Sequence, residues 1–143
     1  AMGWSYGGFM TLHMLTEPKM GLAAAAVGAP VTDWSLYDTH YTERFMSTPE
    51  ANPEGYAASD VLPQLELMTG RLLLMHGMAD DNVILENSTR VINALQENSQ
   101  PFELMLYPGQ RHGVRGNPRQ LQQWRTYLDF LDRTIGDRAV TAE

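Results

Sequence analysis

Residues Gly3-Trp4-Ser5-Tyr6-Gly7 constrain this chain more than any other stretch. They follow the spacing G-x-S-x-G, which marks a sharp turn from a β-strand into an α-helix. Ser5 at the apex needs strained backbone, so the positions two residues to either side must be small. Gly3 and Gly7 meet that need. The turn lifts the Ser5 hydroxyl above the strand end. It also leaves the Tyr6 backbone N–H facing the same space, as one donor for an oxyanion. Amides at the start of the following helix add positive potential there. A Gly-rich turn also carries serine by chance, so the weight falls on the residues that follow.

From Tyr6 to about Thr16 the chain is apolar nearly all round, as a helix under a sheet would be, and Pro18 stops it. Leu22–Val27 is small and apolar between Gly21 and Gly28-Ala29-Pro30, which predicts a buried parallel strand. In residues 31–46, Trp34, Tyr37 and Tyr41 fall at i, i+3 and i+7. On a helix the three rings share one face, either packed into the core or forming a pocket wall beside Ser5. Prolines 49, 53 and 63 mark a loop-rich excursion with a short helix over 54–59. Arg71–Met75 reads as a strand, His76–Asn82 as a polar loop, and Leu85–Asn98 as an amphipathic helix with Ile84, Val91, Leu95 and Ile92 inward. Phe102–Tyr107 is the next strand and Pro108–Gly113 its loop. The last helix runs from Pro118 to about Ile135, with Leu121, Trp124, Leu128 and Leu131 on one face, and a frayed tail from Gly136.

Strands alternating with helices predict an α/β fold, with a parallel sheet of about three strands flanked by helices. Loops after the carboxyl ends of such strands gather on one edge. Ser5, Asp80 and His112 each follow a strand, or the place where one belongs, and would meet there. Only Ala1 and Met2 precede Gly3, too few for a strand. The expectation is therefore that residues 1–143 are the C-terminal portion of a larger catalytic domain. The strand at 22–27 would then have an open edge, favouring self-association or pairing with a missing N-terminal part.

The order Ser5, Asp80, His112 is that of an α/β-hydrolase triad. A serine hydroxyl needs a base to take its proton, and the base needs an acid to fix its tautomer. His76 is the competing base, expected to be buried against the acid loop. His13 and His40 read as packing or surface residues, and only one of Asp80 and Asp81 can face the base. The four histidines are scattered and there is no H-E-x-x-H, so neither metal nor cofactor is expected. With a net charge of −7 and Lys19 the single lysine, no basic face for nucleic acid is formed. No apolar run of about 18 residues suggests a membrane span. The chain has no cysteine, which leaves its compartment open.

The segments GWSYGGFMT, APVTDWSLYDTHYTERFM, LLLMHGMADDNV and YPGQRHG resemble the dipeptidyl peptidase IV branch of the prolyl oligopeptidase family, in its bacterial form. The resemblance implies a serine exopeptidase that releases N-terminal dipeptides with proline or alanine second. It implies Ser5 as nucleophile, Asp80 as acid, His112 as base and the Tyr6 N–H as oxyanion donor. Val31, Trp34, Tyr37, Tyr41 and Val83 would form the pocket for the proline ring, and Asn82 would bind the preceding carbonyl. The family's propeller, its amine-binding glutamates and its second oxyanion donor have no counterpart in these residues, so little activity is expected from the chain alone. A periplasmic or cell-surface setting would follow from the same resemblance. An acylaminoacyl peptidase or carboxylesterase on this fold, and a non-catalytic assembly fragment, are the alternative readings.

Overall fold

The computed structural model describes residues 1–136; most of the tail expected to fray lies outside the described residues. Strands β1 (Met2–Trp4), β2 (Ala24–Gly28), β3 (Arg71–Gly77) and β4 (Glu103–Tyr107) pair in that order, all parallel. Helix α1 (Tyr6–Thr16) links β1 to β2. The β2–β3 connection carries α2 (Thr39–Met46) and α3 (Pro53–Ser59), with 3₁₀ turns at Trp34–Leu36 and Leu62–Leu67. Helix α4 (Glu86–Glu97) links β3 to β4, and α5 (Asn117–Ile135) follows.

The sheet is covered on both faces because β2 is buried along its whole length and β3 is buried from Leu72 onward, with Arg71 exposed at its start. Ala25 and Val27 with Leu72 and Leu74 face α1, α4 and the Leu62–Leu67 turn, meeting Leu12, Leu15, Leu65, Val91 and Leu95. The alternate residues, Ala24, Ala26, Leu73 and Met75, face α5 and meet Tyr127 and Phe130. Each fully buried leucine of these layers contributes about 1.5–3 kcal/mol relative to exposure.

Three sequence expectations need correction. The sheet has four strands, because Met2–Trp4 pairs with Ala26–Gly28 and three residues suffice when the partner is a fully bonded inner strand. The open edge therefore belongs to β1, and β2 has neighbours on both sides. On α5 the buried residues are Tyr127 and Phe130, whereas Leu121, Trp124 and Leu128 are 52%, 55% and 64% exposed. That helix carries two apolar stripes, and the sheet takes the aromatic one. The aromatic block is likewise not one helix. Tyr37 is extended, and Asp38 caps a new helix by accepting from the Tyr41 N–H at 2.9 Å.

Candidate active site

The turn at Ser5 has the strain that its spacing demands. Ser5 has φ 61° and ψ −122°, a region L-residues seldom occupy, and its N–H donates to the Gly28 carbonyl at 2.8 Å. A side chain at Gly3 would run into the Gly7 carbonyl. The second crowded position is Gly8, where a Cβ would lie 2.8 Å from the Gly28 oxygen and 3.1 Å from Pro30 Cα. Gly7 faces open space, so the bulk restriction read from G-x-S-x-G belongs to Gly3 and Gly8. The Tyr6 N–H opens α1 and makes no hydrogen bond to a described residue, as the first amides of a helix do not.

Three side chains from distant loops meet above this turn. The Ser5 hydroxyl lies 2.8 Å from His112 Nε2, and His112 Nδ1 lies 2.8 Å from Asp80 Oδ2. The Asp80 side chain is fully buried, while that of His112 is 28% exposed. Asp80 Oδ1 accepts the Asn82 and Val83 N–H groups, each at 3.0 Å, so the carboxylate closes its own loop. A carboxylate accepts only, so Nδ1 of His112 carries the proton and Nε2 is free to receive one from serine. Asp81 points outward to Arg111 at 3.0 Å. His13 instead meets Gln64 and Ser59, each at 3.3 Å, and His40 is exposed on α2.

Two supports were not legible as site residues in the sequence. The Trp4 indole N–H donates to the backbone carbonyl of His112 at 2.6 Å, tying the His112 loop to the strand that carries Ser5. The loops after β3 and β4 are stitched together by Met78 N–H to Tyr107 O at 3.0 Å and Ala79 N–H to Gln110 O at 2.9 Å. His76 belongs to β3 rather than to a loop, and burial pushes its imidazole below the usual range.

The aromatic residues converge despite the break in their helix. Ring centroids lie 5.7 Å apart for Trp34 and Tyr37, 5.9 Å for Trp34 and Tyr41, and 5.5 Å for Tyr37 and Tyr41. Val31 and Val83 are buried beneath them with Phe9. Tyr6 reaches this cluster, 5.9 Å from Trp34, so the cluster adjoins Ser5. The Tyr37 hydroxyl donates to Asn82 Oδ1 at 3.2 Å, which leaves the Asn82 amide N–H groups as donors. Trp34 and Tyr41 line an apolar cleft of about 470 Å³ together with Tyr6, Phe9 and Phe45. Sequence spacing missed Phe9 and Phe45, which belong to neighbouring turns of α1 and α2.

Residues 1–138 match the Prolyl oligopeptidase family over nearly the whole chain. The chain belongs to that family. It is 48% identical over 114 residues to dipeptidyl peptidase family member 1 of Caenorhabditis elegans, covering 78% of this chain and 14% of the relative. It is 37% identical over 140 residues to human dipeptidyl peptidase 8, covering 95% and 16%. The crystal structure of Porphyromonas gingivalis dipeptidyl peptidase 4 superposes with a TM-score of 0.90 at 37% identity, covering 94% of this chain and 19% of that one. Like other members of the family, the chain has the α/β-hydrolase fold, here with four parallel strands. It spans less than a fifth of the length of each of these relatives. Among the described residues no helix is long and apolar enough to cross a membrane, and no cluster of metal ligands occurs.

Proposed function

We propose that residues 1–143 are the C-terminal portion of the catalytic domain of a serine dipeptidyl peptidase that releases X-Pro and X-Ala dipeptides through an acyl-enzyme. The observation that carries this reading is the unbroken line from Ser5 through His112 to Asp80, with both contacts at 2.8 Å. In the proposed reaction His112 takes the Ser5 proton as the hydroxyl oxygen bonds to the scissile carbonyl carbon. The oxyanion is held by the Tyr6 N–H and the N-terminal end of α1. His112 then gives the proton to the leaving amine, and water repeats the sequence to release the dipeptide. Trp34, Tyr37 and Tyr41 would grip the flat proline ring over the Val31 and Val83 floor, and Asn82 would donate to the preceding carbonyl.

A second oxyanion donor and a site for the free amine are proposed to come from polypeptide outside these 143 residues. Losing one oxyanion donor costs about 10²–10³ in rate, so the chain alone should turn over poorly. The relatives' much greater length supports the same reading. The open edge of β1 and the exposed stripe of α5 would receive the adjoining part of the same polypeptide, or associate with a second copy when the chain is alone. Hydrolysis of Gly-Pro-anilide by the longer polypeptide, set against short acyl nitrophenyl esters, tests the activity. Preference for the anilide and its loss in Ser5→Ala are expected. Ester hydrolysis without dipeptide release would replace the reading with that of a carboxylesterase.

A further inference from the structure

The mechanism above does not use His76, although it is fully buried and lies directly behind the acid. Its Nε2 is 2.8 Å from the Val83 carbonyl oxygen and 3.3 Å from Asp80 Oδ2, and its Nδ1 is 2.7 Å from Ser88 Oγ. These contacts fix its tautomer. A carbonyl oxygen accepts only, so Nε2 carries the proton. In a neutral imidazole Nδ1 is then bare, and the Ser88 hydroxyl must donate to it. Ser88 is itself fully buried on the first turn of α4, so no water competes for that hydrogen bond.

The consequence is a shared proton between two acceptors. The single N–H of His76 points at the Val83 carbonyl and, more weakly, at the same Asp80 oxygen that holds His112. Asp80 is thereby surrounded by four donors: the Asn82 and Val83 amides on Oδ1, and the two imidazoles on Oδ2. The titratable groups facing His76 are Asp80 and His112; those near His112 are Asp80, His76 and the exposed Asp81–Arg111 pair. A protonated His76 would place a second cation beside the imidazolium that forms on His112 during turnover. Burial disfavours that state, and the Ser88 donor leaves Nδ1 no room for a proton.

We infer that His76 is a positioning residue that acts through Asp80: one neutral N–H sets the acid's orientation and draws electron density from it, while bracing Val83 under the aromatic pocket. This inference rests on the proposed peptidase reading, with Ser5 and His112 as nucleophile and base. Weakening the donor to Asp80 strengthens that carboxylate's hold on protonated His112. The acidic limb of kcat/KM then moves to higher pH.

The test uses the longer polypeptide with Gly-Pro-anilide. His76→Asn removes the donor at Nε2 and should lower kcat about tenfold to a hundredfold, since misplacement of an essential group by even 1 Å costs on that order. KM should change less, and the acidic limb should shift upward. His76→Gln, whose amide N–H reaches the Nε2 position, should restore most of kcat and return the limb. Equal losses in both variants with an unmoved limb would mark His76 as merely structural and overturn the inference. If His76→Asn does not fold, ¹⁵N-histidine NMR of the unsubstituted protein carries the test. His76 must show a protonated Nε2 and a bare Nδ1 at neutral pH, and a protonated Nδ1 there would overturn the inference. An unsubstituted protein that neither releases dipeptides nor labels at Ser5 with a fluorophosphonate would instead remove the peptidase reading beneath it.

Discussion

Trp4 shows how much of this site depends on a single hydrogen bond outside the triad. Its indole holds the main chain of His112 at 2.6 Å, and phenylalanine would keep the ring but not the donor. On the proposed role of His112 as base, Trp4→Phe should lower kcat roughly tenfold with KM nearly unchanged, because His112 is held less firmly. Steady-state kinetics on the longer polypeptide check this, and an unchanged kcat would refute the role. His76 makes a separate prediction about stability. Its folded pKa is depressed, so the unfolded chain binds a proton first as pH falls below about 6.5, and stability is lost from there downward. This pH dependence of stability should be missing in His76→Gln. Urea unfolding at a series of pH values reads it directly, and identical slopes in the two proteins would exclude His76 as the source. At this scale the sequence was readable where spacing carries chemistry. Ser5, Asp80 and His112 could be named as candidates, and His76 could be seen as buried. It was silent on Trp4, because an indole reaching a carbonyl 108 residues away leaves no local trace.

The elements were legible wherever hydrophobic period and punctuation agreed. The helix from Tyr6 to about Thr16 is legible in the sequence, since its start is the strained serine and its stop is enforced by Pro18. Strand β1 was not, because three residues hold no period and their pairing with β2 is a tertiary fact. Helix α5 is legible in its extent, but its buried face is not, for the opposite reason. Its two apolar stripes are equally plausible from sequence, and only the sheet selects Tyr127 and Phe130. The glycines of the elbow give a test at this scale. Gly8→Ala forces a Cβ against the Gly28 carbonyl and Pro30, which should cost about 1–3 kcal/mol as overpacking does. Gly7→Ala meets nothing within 4 Å in the first turn of α1, and should be neutral or stabilising by up to about 1 kcal/mol. Chemical denaturation of both variants compares them, and a more damaging Gly7→Ala would reverse this assignment of crowding.

For the whole molecule, the parallel sheet with two covered faces follows from the strand composition, whereas the exposed surface does not. Trp124 of α5 lines a cleft with Met2 and Trp4 of β1, and Leu121 and Leu128 are exposed on the same helix, so apolar surface reaches from α5 to the unpaired rim of the sheet. On the proposed assembly this rim and stripe are an interface. The 143-residue chain alone should self-associate, and joint replacement of Leu121, Trp124 and Leu128 by glutamine should reduce that association. Light scattering at several concentrations decides between the two, and a monodisperse monomer before any substitution would count against the interface. The short first strand has one further implication. It is both the outermost rung of the sheet and the stalk on which the reactive hydroxyl stands, so adding the next rung and steadying the hydroxyl would be a single event. On the proposed reading, the hydroxyl at Ser5 would be steadied only once a further strand had paired with β1.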